Sequence, residues 1–251
     1  MSTLKNRAIW GAISAACLAL FAMLASPVHA AGGHVAGLVK AEIDLGDTAS
    51  LQRGAQIFVD RCLSCHSANL MRYNRIGQDL GLSDEEVKAR LIRGAEVKIG
   101  STMQSTMPAA LAKTAFGVVP PDLSLTARAR GSDWLYSYLR AFYVDPARPL
   151  GVNNLVFKDV GMPNVFWREQ GEQVLSKDAH GVEALSLAKP GSMSPAEFDG
   201  MIGDLVGFMT YMAEPAVLQR KSLGFWVLGF LAALFVLLFL LKQEYWRDIK
   251  K

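Results

Sequence analysis

The sequence predicts a mainly α protein: a helical exported domain with long loop insertions, then one transmembrane helix near the C-terminus. Three observations carry this. Ser83 and Ser194 each stand three residues before a glutamate, Glu86 and Glu197, ahead of apolar residues at helical spacing. That is the pattern of a capping box opening a helix. From Phe198, the residues Met201, Ile202, Leu205, Val206, Met209 and Met212 then recur on one face of a 3.6-residue period. Finally, Leu223 to Leu241 is a run of 19 residues without a charge. At 1.5 Å per residue it spans roughly 28 Å, about one hydrocarbon core.

In chain order, Lys5 and Arg7 precede a mostly apolar stretch, Ala8 to Leu24, and Pro27-Val28-His29-Ala30 ends in small residues. This is the layout of a secretory signal, with cleavage expected after Ala30. Cys17 lies inside the apolar run and is expected to leave with it, as is His29. Residues 31–49 read as an irregular lead-in, and His34 there as part of a free terminal segment. A helix follows from about Ser50, with Leu51, Ile57 and Phe58 available for packing. Gly54 weakens that helix but lets another helix cross closely.

The helix opened by Ser83 carries Val87 and Leu91 and is expected to end at Gly94. The acids at 84–86 complement its N-terminus. Residues 95–131 read as loop, with Val119-Pro120-Pro121-Asp122-Leu123 extended and stiff. Ser132 is expected to cap a helix reaching about Tyr143, with Leu135, Tyr138, Leu139 and Phe142 in register. Residues 144–190 are punctuated by Pro and Gly; a connection of that length is functional or carries small elements. His180, beside Asp178 and Gly181, reads as exposed. The helix from Pro195 ends at Ala213-Glu214-Pro215.

Arg220 and Lys221 precede the apolar run, and Lys242, Arg247, Lys250 and Lys251 follow it. Trp226 and Tyr245-Trp246 fall near the interfaces. The expected organisation is therefore a signal (1–30), an exported domain (31–219), a transmembrane anchor (220–241) in membrane lipid and a cytoplasmic tail (242–251). Charge is nearly balanced, with 26 basic and 23 acidic residues, so nucleic acid is not an expected partner. Residues 31–219 carry 18 basic and 21 acidic residues, a weakly acidic domain.

The chemistry-bearing stretch is Cys62-Leu63-Ser64-Cys65-His66. Two thiols with two residues between them, followed at once by an imidazole, form the attachment pattern of a c-type haem. Each cysteine can form a thioether with one haem vinyl group, and the histidine can bind the iron from one side. A zinc site would want a second ligand pair, and the remaining cysteine is Cys17. A redox dithiol would want a βαβ context. The second axial ligand decides between an electron carrier and an open iron site. Outside the buried stripe the candidate thioethers are Met71, Met103, Met107, Met162 and Met193. Met193 is favoured because the following cap fixes its backbone, and Met162, between Gly161 and Pro163, is the rival. Arg128 and Arg130 are candidates to hold a haem propionate.

Taken together, these residues resemble the cytochrome c1 family, the haem subunit of the ubiquinol–cytochrome c reductase (cytochrome bc1) complex, in a bacterial form. The resemblance is carried by Arg61 through His66, by Pro120-Pro121-Asp122-Leu123-Ser124 with Ala127-Arg128-Ala129-Arg130-Gly131, and by Gly161-Met162-Pro163. Met193-Ser194, Ala213-Glu214-Pro215 and the C-terminal anchor complete it. It implies a class I-like cytochrome c domain with one haem c, thioether-linked through Cys62 and Cys65, and with His66 and Met193 as axial ligands. Arg130 would hold a propionate, and the Pro120-Pro121 loop would pack against the His66 side.

Many relatives carry Asn shortly before the glycine of that loop, where this chain has Ala115-Phe116 before Gly117. With two cysteines left after signal removal, both in the haem motif, the disulfide of some bacterial relatives is not expected. The implied function is one-electron transfer from a Rieske iron–sulfur protein to a cytochrome c, in a respiratory or photosynthetic chain, with no bond broken by the protein itself. Cytochrome b would be the neighbour in a dimeric complex of the bacterial cytoplasmic membrane, with the haem domain in the periplasm. The alternatives are a stand-alone, membrane-tethered shuttle and a haem enzyme or gas sensor with an open iron site.

Overall fold

A computed structural model describes residues 37–177 and 183–247. The expected signal with Cys17 and His29, as well as His34, His180, Lys250 and Lys251, lies outside them. The described chain is mainly helical, with three small antiparallel strand pairs.

The centre of the domain is the packing of α1 (Thr48–Arg61) on a long helix near its end, Pro195–Ala213. Asp47 opens α1 by accepting the Ser50 N–H at 3.0 Å. The two helices approach so closely at Gly54 that a Cβ there would sit 2.7 Å from Phe208 Cβ and run into the Asp204 carbonyl. Glycine is required by that contact, whatever it gives up in helix propensity. Around it, Arg53 grips the Asp204 carboxylate through two nitrogens at 2.6 and 2.9 Å, and the Ser50 hydroxyl donates to it at 2.6 Å. Phe58 and Phe208 meet with ring centroids 5.6 Å apart.

After the haem motif come β1 (Ala68–Arg72), α2 (Tyr73–Leu80) and α3 (Asp84–Leu91). The Ser83–Glu86 capping box is present, and it buries Val87 and Leu91. α3 stops at Leu91 with Ile92 as its C-cap, so Gly94 is not the terminator. The segment expected to be loop holds structure of its own: β2 (Thr102–Met103) pairs with β1, and α4 (Ala109–Phe116) and α5 (Thr126–Arg130) follow. These pieces are too short for periodicity to register.

α6 (Ser132–Arg140) begins on Gly131, and Ser132 makes no cap hydrogen bond. It also ends earlier than expected. Phe142–Val144 (β3) pairs with Val152–Asn154 (β4), so Phe142 sits on a strand. The unperiodic stretch that follows contains α7 (Trp167–Gln170) and a hairpin of β5 (Gly171–Lys177) and β6 (Glu183–Pro190).

α8 (Pro195–Ala213) has the capping box of Ser194 and Glu197 with Pro195 in its first turn. Phe198, Ile202, Leu205, Val206, Met209 and Met212 are all buried in the core. Glu214, Pro215 and Ala216 then lead directly into α9 (Val217–Tyr245). Within α9, the 24-residue span Ser222–Tyr245 contains an 18-residue stretch of mean hydropathy 2.7, none of it buried. At 1.5 Å per residue it reaches roughly 36 Å, enough to cross a bilayer. An apolar surface on all sides fits lipid rather than water.

Candidate functional site

Cys62 is the C-cap of α1, and the chain turns there, with Cys65 N–H and His66 N–H both donating to the Cys62 carbonyl at 3.1 and 2.8 Å. That turn brings Cys62, Cys65 and His66 to the wall of one cavity of about 290 Å³. Cys62 is buried and Cys65 half-buried. Burial, with Cys65 beside it, pushes the free Cys62 thiol up to about 12.

Pro120-Pro121-Asp122-Leu123-Ser124 orients the histidine. His66 Nδ1 lies 2.8 Å from the Pro121 carbonyl. A carbonyl only accepts, so the proton is on Nδ1 and the Nε2 lone pair is left for another partner. Burial holds the ring below the ordinary imidazole range, against the pull of the Pro121 carbonyl and the Asp122 charge. The loop is fixed because its side chains line up along β1 as a strand would. Asp122 accepts from Asn69 N–H and Ser124 Oγ from Leu70 N–H, at 2.8 and 3.0 Å, and Leu123 N–H donates to the Ser67 carbonyl at 2.8 Å.

Met162 is on the same cavity, between Gly161 and Pro163. Its loop is clamped at both ends by asparagines. Asn153 Oδ1 accepts from Asn154 and Asp159 N–H, each at 2.9 Å. Fully buried Asn154 accepts from Val156 and Phe157 N–H and donates to the Tyr138 carbonyl. Downstream, Asn164 accepts from Phe166 N–H and donates to Gln170 Oε1. Tyr138 stands over the thioether, its hydroxyl donating to Met162 Sδ at 3.3 Å.

Met193, which the sequence favoured, is not among the residues that line this cavity. It lines a separate cavity with Pro195, Phe198 and Asp199. The cause is the tether before it: Met193 N–H donates to the Glu169 carbonyl and Ser192 N–H to that of Arg168. Gly171 and Gly191 cross so closely there that a Cβ on Gly171 would lie 2.5 Å from Gly191 N. The Ser194 cap does fix the backbone, but facing another way. Gly161 and Pro163 around Met162 were the signal in the sequence for the loop that lines this cavity.

Of the two arginines, Arg130 is on the cavity and stacks over Trp134 at 5.0 Å, whereas Arg128 pairs with Glu214 at 3.6 Å. Among the cavity residues, sequence reasoning did not single out Trp134, Tyr138 as a polar group, or the ion pair of Arg61 with Glu169. Two thiols, a neutral imidazole with one free nitrogen, a thioether and a cationic side chain on a mostly apolar cavity suit a covalent haem.

Fold, site and anchor together define a membrane-anchored c-type cytochrome. Its relatives agree. The Cytochrome C1 family model matches residues 40–249. Cytochrome c1 of Allochromatium vinosum is 44% identical over 92% of this chain and 98% of the relative, and that of Rhodospirillum rubrum 31% over 81% and 83%. A Nitrosomonas europaea protein named ammonia monooxygenase gamma subunit is 48% identical over 92% of this chain and 97% of the relative. The chain belongs to the cytochrome c1 family. As such it carries covalently bound haem c and is a membrane-anchored electron-transfer subunit of the cytochrome bc1 complex.

Proposed function

We propose that this chain receives single electrons from a Rieske iron–sulfur protein and passes them to a cytochrome c, with His66 and Met162 as the two iron ligands. When bound, haem c supplies a one-electron iron couple, and methionine ligation raises its potential and closes the iron to other ligands. The residues of this chain do the rest. Cys62 and Cys65 form the thioethers, Pro121 holds the His66 ring by Nδ1, and Arg130 offers a guanidinium to a propionate. The observation that carries this reading is the meeting of Cys62, Cys65, His66 and Met162 on one cavity.

The haem domain is proposed to comprise residues 31–219, after removal of a signal at 1–30, and to lie in the periplasm of a bacterium, with residues 242–251 in the cytoplasm. Cytochrome b is the proposed neighbour of the anchor (220–241), within a dimeric complex. Three residues separate α8 from α9, and Glu214 between them is ion-paired to both Arg128 and Arg220. A shuttle needs a long flexible tether for reach, so this short junction favours a fixed place in a complex.

A second reading comes from the relative named ammonia monooxygenase gamma subunit: the same electron relay serving an oxygenase assembly. Affinity purification of the full chain from detergent-solubilised membranes separates the readings. Recovery of cytochrome b and a Rieske protein supports the first. Recovery of monooxygenase subunits in their place supports the second, and isolation alone with full haem content supports a shuttle.

A further inference from the structure

The hydroxyl of Tyr138 has no evident structural task. Its ring is held by stacking on Trp134 (centroids 5.0 Å apart, planes within 7°) and by the edge of Phe142 at 5.3 Å. Its backbone carbonyl is held by Asn154 Nδ2 at 2.8 Å. A phenylalanine would keep all of these contacts. The hydroxyl itself reaches Met162 Sδ at 3.3 Å. A thioether carries no proton, so the phenol is the donor and the sulfur the acceptor.

We infer that Tyr138 is a positioning and tuning residue for the iron couple, acting through the hydrogen bond from its hydroxyl to the Met162 sulfur. The inference rests on Met162 as an iron ligand. A thioether sulfur has two lone pairs; one can face the iron while the other accepts the phenol proton. Drawing electron density from the sulfur weakens its donation to iron. That weakening disfavours the ferric state, which needs the donation more than the ferrous state does, so the bond favours the reduced protein. The hydroxyl also holds the thioether in one orientation, since Met alone has three freely rotating bonds.

The test is potentiometric titration of the full-length, haem-loaded protein with Tyr138→Phe, Tyr136→Phe and Met162→Leu. Tyr136 is on the same helix, but its hydroxyl is directed to the Asp199 carbonyl at 3.5 Å and it is not on the cavity. Losing one neutral hydrogen bond shifts the oxidised-to-reduced ratio of Tyr138→Phe about fivefold toward oxidised. That is about 41 mV downward at 59 mV per decade for a one-electron couple. The methionine-to-iron charge-transfer band of the ferric protein persists in Tyr138→Phe, and the potential of Tyr136→Phe is unchanged.

A Tyr138→Phe potential equal to wild type overturns the inference. Equal shifts in both tyrosine variants would mark a general packing effect and overturn it too. Met162→Leu separates the two layers of the argument. Survival of the band in that variant sinks the ligand reading itself, whereas its loss with an unshifted Tyr138→Phe sinks only the role of Tyr138.

Discussion

Gly54→Ala tests the helix crossing on which the haem motif is mounted. The added methyl would lie 2.7 Å from Phe208 Cβ and collide with the Asp204 carbonyl. Ordinary carbon contacts are about 3.5–4.0 Å, so α1 and α8 must separate by roughly 1 Å. One of the atoms met is backbone, and no rotamer change relieves that. Overpacking of this kind costs about 3 kcal/mol, the upper end of its usual range. Alanine returns about 1 kcal/mol of helix propensity. The net loss is about 2 kcal/mol, which lowers the Tm of a domain this size by roughly 4–8 °C.

Gly203→Ala on α8 is the control, because a Cβ there meets nothing within 4 Å. The same exchange should then stabilise by about 0.5–1 kcal/mol through propensity and unfolded-chain entropy. Thermal unfolding of both haem-loaded variants, followed by circular dichroism in detergent, reads the two signs. A Gly54→Ala protein melting at or above wild type would refute the close crossing.

Exchanging the two candidate thioethers gives a second prediction: Met162→Leu abolishes the methionine-to-iron band of the ferric protein, and Met193→Leu keeps it. The reverse result would restore Met193. Asn154→Ala deprives Val156 and Phe157 N–H of their partner and leaves the Tyr138 carbonyl with Ala141 N–H alone, at about 3 kcal/mol in total. Denaturant titration measures that loss, and a growing high-spin fraction reports the loosened Met162 loop.

Asp122 gives a pH dependence. Burial pushes its carboxyl up, but hydrogen bonds from Ser124 and Asn69 outweigh it and hold the group below its ordinary range. A depressed carboxyl stabilises the fold above its unfolded pKa of about 3.9 and stops doing so as pH falls through the lower folded value. The side chain is exposed, so the contribution is below about 1 kcal/mol. Asp122→Asn should therefore lower Tm near neutral pH while flattening its fall in acid. Parallel melting curves at every pH would contradict this.

What could be read from residues was what repeats or is locally complete. The two capping boxes, the α8 stripe and the apolar run of α9 each carry their signal within one segment. Gly54 was legible as an opening for another helix, though not which one. Short strand pairs, β1 with the two residues of β2 and β3 with β4, carry no period long enough to see. The α6 end was misjudged because Phe142 fits a helical register equally well, and pairing with Asn154 decided otherwise. At the site, Cys62, Cys65 and His66 are contiguous and announce themselves. The second thioether depends on where a loop lands. A cap ahead of α8 says that Met193 is fixed; only the Gly171–Gly191 crossing says where.

The most direct test of the central claim is the optical spectrum of the purified full-length protein, oxidised, then reduced under carbon monoxide. A cavity that supplies both His66 and Met162 predicts low-spin ferric iron with a methionine-to-iron band, and no rapid carbon monoxide binding on reduction. A high-spin, five-coordinate ferric spectrum with fast carbon monoxide uptake would contradict the account and return the protein to an open iron site.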